Sequence, residues 1–176
     1  MSLDTRFTEE ELFLLANVPF SIGQTMAFAA GSGLGTVKEL YSSTKSFLDG
    51  AKHYSTNEII TGILPNLENG AEAKTAAKAF QEKAKENFKT RDIKTVENMR
   101  QFVIGDASAI AKLLEEKATP EEIKEYKEWA MSIAENVAKA AKEGGFLGFG
   151  GERVSPDEKK LYADIATALG TDTNLS

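Results

Sequence analysis

Apolar residues recur along this chain at steps of three and four. Between residues 92 and 117 the series is Val96, Met99, Val103, Ala107, Ile110 and Leu114, and between 120 and 143 it is Ile123, Tyr126, Ala130, Ile133 and Val137. Each series draws one stripe along a helix and leaves charged residues on the other face. No run alternates with period two between hairpin turns, so strands are not expected. The spacing predicts helices over 8–17, 19–31, 35–49, 56–64, 69–89, 92–117, 120–143 and 156–169.

Local chemistry marks where these helices begin and end. Thr8-Glu9-Glu10-Glu11, Ser55-Thr56-Asn57-Glu58, Thr119-Pro120-Glu121-Glu122 and Ser155-Pro156-Asp157-Glu158 each place a hydroxyl three residues before a carboxylate. The hydroxyl accepts from a free first-turn amide and the carboxylate returns a bond to the cap. Pro19, Pro65, Pro120 and Pro156 all fall at the proposed boundaries, where a missing amide hydrogen costs little. Gly50, Gly70, Gly144 and Gly170 are read as stops. The expected fold is all-α, a bundle of seven to eight short helices in one domain, with residues 1–7 and 171–176 as loose ends.

One repeat stands out within this pattern. Ser21-Ile22-Gly23-Gln24-Thr25-Met26-Ala27-Phe28-Ala29-Ala30 matches Ser132-Ile133-Ala134-Glu135-Asn136-Val137-Ala138-Lys139-Ala140-Ala141 at five of ten positions. Both stretches run into a Gly-rich turn before another helix, which suggests two related helix-turn-helix units. Small residues at matching steps are also what two close-packed helices choose independently.

Charge and composition narrow the function. A net charge of -6 opposes binding to nucleic acid or anionic membranes, because both surfaces repel the average field. From Ala71 to Arg100 eight basic residues stand against five acidic ones; interleaved signs read as a solvated helix face, with a basic docking surface as the alternative. The absence of cysteine removes disulfides, thiolate nucleophiles and soft-metal thiolate sites. The longest uncharged run, Leu12 to Val37, is broken by Pro19, Gly31, Gly33 and Gly35, so no transmembrane segment is expected and the chain reads as cytoplasmic.

Candidate chemistry is sparse. His53 is the only histidine, which excludes multi-histidine metal sites and leaves any triad resting on one residue. Trp129, on a helix of alternating charge, reads as a packing anchor. The distinctive segment is Gly144-Gly145-Phe146-Leu147-Gly148-Phe149-Gly150-Gly151, five glycines around three large apolar side chains. Such a loop either tucks its rings into the core or presents Gly144, Gly145, Phe146, Leu147, Gly148 and Phe149 to a partner or ligand. Neither it nor Gly31-Ser32-Gly33-Leu34-Gly35 is a nucleotide loop: the first is followed by Glu152 rather than Lys and Ser/Thr, and the second follows a helix. Glu143, Glu152, Asp157, Glu158 and Asp164 offer oxygen ligands near the loop, but no EF-hand ladder is present, and Asp157 and Glu158 suit a helix start.

The stretch Val154-Ser155-Pro156-Asp157-Glu158 through Ala168-Leu169-Gly170 resembles the closing helix of the tellurite-resistance TerB-like proteins. The resemblance implies an all-helical bundle in which an alanine-rich helix, an acidic-glycine turn and a Glu-bearing helix occur twice. Ala29-Ala30-Gly31 through Glu39 would be the first copy and Ala140-Ala141-Lys142-Glu143-Gly144 through Glu158 the second. It implies divalent-cation binding at Glu39, Glu143 and Glu158, although the first turn here has no carboxylate before its glycine. The Gly-Gly-Phe-Leu-Gly-Phe-Gly-Gly loop is similar to that of uncharacterised bacterial proteins, a resemblance that implies no activity.

These observations lead to a non-enzymatic, cytoplasmic, bacterial-type helical module that binds a protein partner or small ligand through the glycine-rich loop, without an expected cofactor. The resemblance adds a stress-response role. The alternative is a divalent-metal-binding protein or carboxylate-based metalloenzyme, which needs acids facing inward from several helices. A third reading, storage of an apolar ligand between helices, fits the Phe and Ala content.

Overall fold

A computed structural model describes residues 2–29, 35–64, 70–143 and 154–172. Among them there is no strand, and eight helices form: α1 (Leu3–Arg6), α2 (Glu9–Ala29), α3 (Gly35–His53), α4 (Glu58–Ile63), α5 (Gly70–Thr90), α6 (Val96–Lys117), α7 (Pro120–Glu143) and α8 (Pro156–Leu169). The chain is thus the all-α bundle that the periodicity predicts. Its central element is α2, which packs against α3, α6, α7 and α8, while α3 lies along α7 and α6 along α8.

Three of the expected capping boxes form. Thr8 N–H donates to Glu11 at 2.8 Å while Glu11 N–H donates to the Thr8 hydroxyl at 3.2 Å. Thr119 and Glu122 exchange the same pair of bonds, as do Ser155 and Glu158. The box expected from Ser55 does not cap α4; Asn57 does, accepting from Ile60 N–H at 3.1 Å. Asn57 stands directly before the first helical residue in the extended conformation that a cap requires, φ -83° and ψ 107°.

Pro19 lies inside a continuous helix, which corrects the expected break between 17 and 19. A proline in mid-helix removes the bond to the carbonyl four residues earlier, here that of Leu15. The Tyr126 hydroxyl, wholly buried on α7, donates to that carbonyl at 2.7 Å. The bond missing within α2 is therefore made from α7. This helix is also, among the described residues, the one long and apolar enough to cross a membrane; in the bundle most of it is buried against its neighbours.

The glycines differ from expectation too. Gly50 does not end α3, which continues to His53. A side chain at Gly50 would collide with the Trp129 indole, so the glycine is what allows α3 to lie on α7. Gly23 similarly admits Ser43 of α3 and Ile133 of α7 against α2. Gly70 opens α5, whereas Gly170 closes α8 in the left-handed conformation at φ 65°, with the expected geometry. The expectation of 92 as the start of α6 meets a different terminus: Asp92 takes φ 55° and closes α5, Ile93 N–H donates to Phe88 O, and Thr95 caps α6.

A register of 111 positions relates several residues and contacts of the first and later helices. Ser21 and Ser132 stand 111 positions apart, and the same separation joins Leu15 to Tyr126, Arg6 to Lys117, Thr8 to Thr119 and Glu11 to Glu122. The contacts between these residues are reciprocal. Arg6 grips Glu122 through both carboxylate oxygens at 2.8–2.9 Å, and Lys117 grips Glu11 at 2.7 Å. Phe7 and Ala118 donate to Leu3 and Leu114 in matching bonds of 2.8 Å. A shift of 111 maps Arg6–Glu122 onto Lys117–Glu11, and the Phe7–Leu3 bond onto Ala118–Leu114. Residues 3–6, expected as a loose end, are one side of this clasp, with Leu3 packed against Gly62.

Candidate functional site

The glycine-rich loop, with Gly144, Gly145, Phe146, Leu147, Gly148 and Phe149, lies outside the described residues. So do the side chains of Glu39 on α3 and Glu143 at the end of α7. Glu158 is described: it is 4% exposed, and its Oε2 accepts from both the amide and the hydroxyl of Ser155 at 2.8 Å. It is a helix cap whose other oxygen is buried without a hydrogen-bond partner. Among the described residues no group of three Asp, Glu or His side chains is placed to hold a metal ion. His53 is exposed in the last turn of α3, its Nδ1 2.9 Å from the Asp49 carbonyl.

What the fold does assemble is an aromatic wall. Phe80 of α5 inserts between Phe13 and Phe20 of α2 and Phe47 of α3, with ring centroids 5.2–6.1 Å apart. Phe47 stacks in turn on Trp129, which meets Tyr126 edge-on. Each such aromatic pair contributes roughly 0.5–1.5 kcal/mol beyond burial. The expected role of Trp129 as a packing anchor agrees with its burial to 1% exposure.

Past Phe80, α5 runs on with Ala84 buried. Beneath it opens a cleft of about 550 Å³ lined by Phe20, Gln24 and Phe28 of α2, Thr44 of α3, Ala84, Lys85 and Phe88 of α5, and Met99 of α6. This volume lies in the range of small-molecule sites, and the lining is mostly apolar with a few polar groups, as such sites are. Phe28, 41% exposed, stands at the border of this cleft. The far end of α5 is tied down by Arg91, whose guanidinium donates to Asp106 at 2.6 Å and lies over the Phe102 ring.

A small second space adjoins the cleft, and Phe88 and Met99 line both. It measures about 10 Å³ and is bordered by Asn17, Ser21 and Thr25, which form a polar line at four-residue spacing along α2, and by Arg91 and Asp106. Asn17 is 3% exposed, and its Oδ1 is buried with no hydrogen-bond partner. In sequence these residues are hidden because the middle of α2 is mostly apolar and reads as core. Three polar residues at helical spacing inside such a helix were the signal available.

A wider, polar opening of about 840 Å³ is bordered by Arg6, Asn57, Glu122 and Glu125. Its central groups satisfy one another. Asn57 donates to Glu125 at 3.0 Å, and Glu122 is held by Arg6 and by the Thr119 amide. Arg6, above all, holds the Glu122 carboxyl down at about 2. No family model, curated protein or solved structure matches the chain.

Proposed function

We propose that this chain is a non-enzymatic helical binding module whose ligand is a small, largely apolar molecule held under α5. The observation that carries the reading is the cleft between Phe20, Phe28, Phe88 and Met99, with Phe28 half-open at its border. Burying an apolar body against these side chains is favourable by about 25 cal/mol per Å². Phe80 and the Arg91–Asp106 pair anchor α5 on either side of the cleft, so a guest between them need not displace these contacts. The glycine-rich loop retains its proposed role as a partner surface. A stress-response setting is what the TerB-like resemblance adds; the doubled, reciprocal architecture supports that likeness.

The test uses the neutral fluorescent probe N-phenyl-1-naphthylamine. It should bind wild-type protein saturably at one site. Gln24→Trp, which fills the cleft from its α2 wall, should abolish binding while circular dichroism stays helical. Non-saturable binding, or equal binding by Gln24→Trp, rules out the cleft as the site.

A further inference from the structure

The cleft by itself says only that the guest is apolar. Its neighbour is more specific. Oδ1 of Asn17 is a buried acceptor without a donor, and leaving such a group unpaired in the folded state is costly. The second group facing the same small space, Asp106, is also an acceptor; one of its oxygens is taken by Arg91, which neutralises its charge. Both therefore ask for a donor, and neither favours an anion. Phe88 and Met99 line both this space and the cleft, and an unbranched methionine changes rotamer readily.

We infer that the cleft under α5 binds a neutral amphiphile: a medium-length apolar chain ending in a small hydrogen-bond-donating head, a primary alcohol, which passes Met99 to reach Asn17 Oδ1. The inference rests on the binding reading above and adds the chemical class of the ligand. The apolar chain lies along Phe20, Phe28 and Phe88, and the head replaces the partner that Asn17 lacks. A carboxylate head is rejected because it brings no donor to Asn17 Oδ1 and its charge would be desolvated beside an Arg91–Asp106 pair that is already matched. The polar line Asn17, Ser21, Thr25 is thereby explained as the lining of a specificity site rather than an accident in a core helix.

Displacement of N-phenyl-1-naphthylamine by 1-decanol, 1-methoxydecane and decanoate separates these claims on the full chain. The alcohol should compete about tenfold better than the ether, which cannot donate, and better still than the carboxylate. Asn17→Leu, which removes the orphaned acceptor, should bring the alcohol-to-ether ratio down to about one, with the protein still helical and cooperative on melting. Probe binding with no preference among the heads in wild type overturns the head assignment and leaves the cleft reading standing. A preference that persists unchanged in Asn17→Leu also overturns it. Absence of probe binding removes both. A structure with decanol bound that shows a water, rather than the hydroxyl, on Asn17 Oδ1 counts against the inference independently of any variant.

Discussion

Pro19 and Tyr126 show how one residue's defect is met by another 107 positions away in sequence. The proline leaves the Leu15 carbonyl without its helical donor, and that carbonyl is buried; the tyrosine hydroxyl supplies the bond, and burial holds the phenol well above its ordinary pKa, so it stays a donor at all working pH. Tyr126→Phe should therefore cost about 1–3 kcal/mol, more than loss of a solvated hydroxyl. In that background Pro19→Ala should recover a good part of the loss by restoring the amide donor. A thermodynamic cycle from urea melts checks this; additive effects of the two substitutions would show that the bond does not compensate for the proline. Neither partner was readable alone. Pro19 reads as a boundary in any local view, and Tyr126 as one more apolar position on its stripe.

At the scale of elements, most starts were legible because a capping box is a local device, written in four consecutive residues. Thr8, Thr119 and Ser155 act as their sequences say. Ends were less legible. The last turn of α5 closes with Asp92 at φ 55°, a conformation that side chains other than glycine enter at a cost. Nothing in Arg91-Asp92-Ile93 announces it, since aspartate is also a common helix-start residue. Asp92→Gly should raise stability by up to about 1 kcal/mol, the relief of left-handed strain being offset in part by the freer unfolded chain. Its exposed pairing with Lys94 contributes little to oppose this. An unchanged or lower melting temperature would mean that Asp92 contributes something its backbone does not show. The extent of α3 was misread for the converse reason: Gly50 ends a helix in local grammar, but here it is spent on contact with Trp129.

At the scale of the whole molecule, the two halves are held by a reciprocal clasp at the α1–α2 and α6–α7 joints. The Arg6 guanidinium lowers the Glu122 carboxyl from its ordinary 4.5 to about 2, and Lys117 lowers Glu11. Both carboxyls are depressed on folding, so their contribution is fully present above about pH 4.5. It fades as pH falls, and for Glu122 it is lost near pH 2. Glu122 is largely buried, and its share is on the order of 2–3 kcal/mol. Urea midpoints measured from pH 5 to pH 2 should fall steeply for wild type. Arg6→Met should be less stable at pH 5 and flatter below it, because its Glu122 titrates closer to the ordinary value. Parallel curves for the two proteins would show that the clasp does not couple the halves to pH.

The sequence by itself determined the class of fold and most helix starts, because a 3.6-residue stripe and a capping box involve only neighbours along the chain. It also held the repeat, whose register of 111 extends from Ser21 and Ser132 back to Arg6 and Lys117, although the likeness there is of charge and cap rather than identity. Only the tertiary structure decided that Pro19 is no boundary, that Gly50 is a contact, and that a cleft lies under α5 beside a partnerless Asn17. Each of these depends on what stands opposite a residue across the bundle. A stripe states which face is buried; it does not state against what, or where the burial is incomplete.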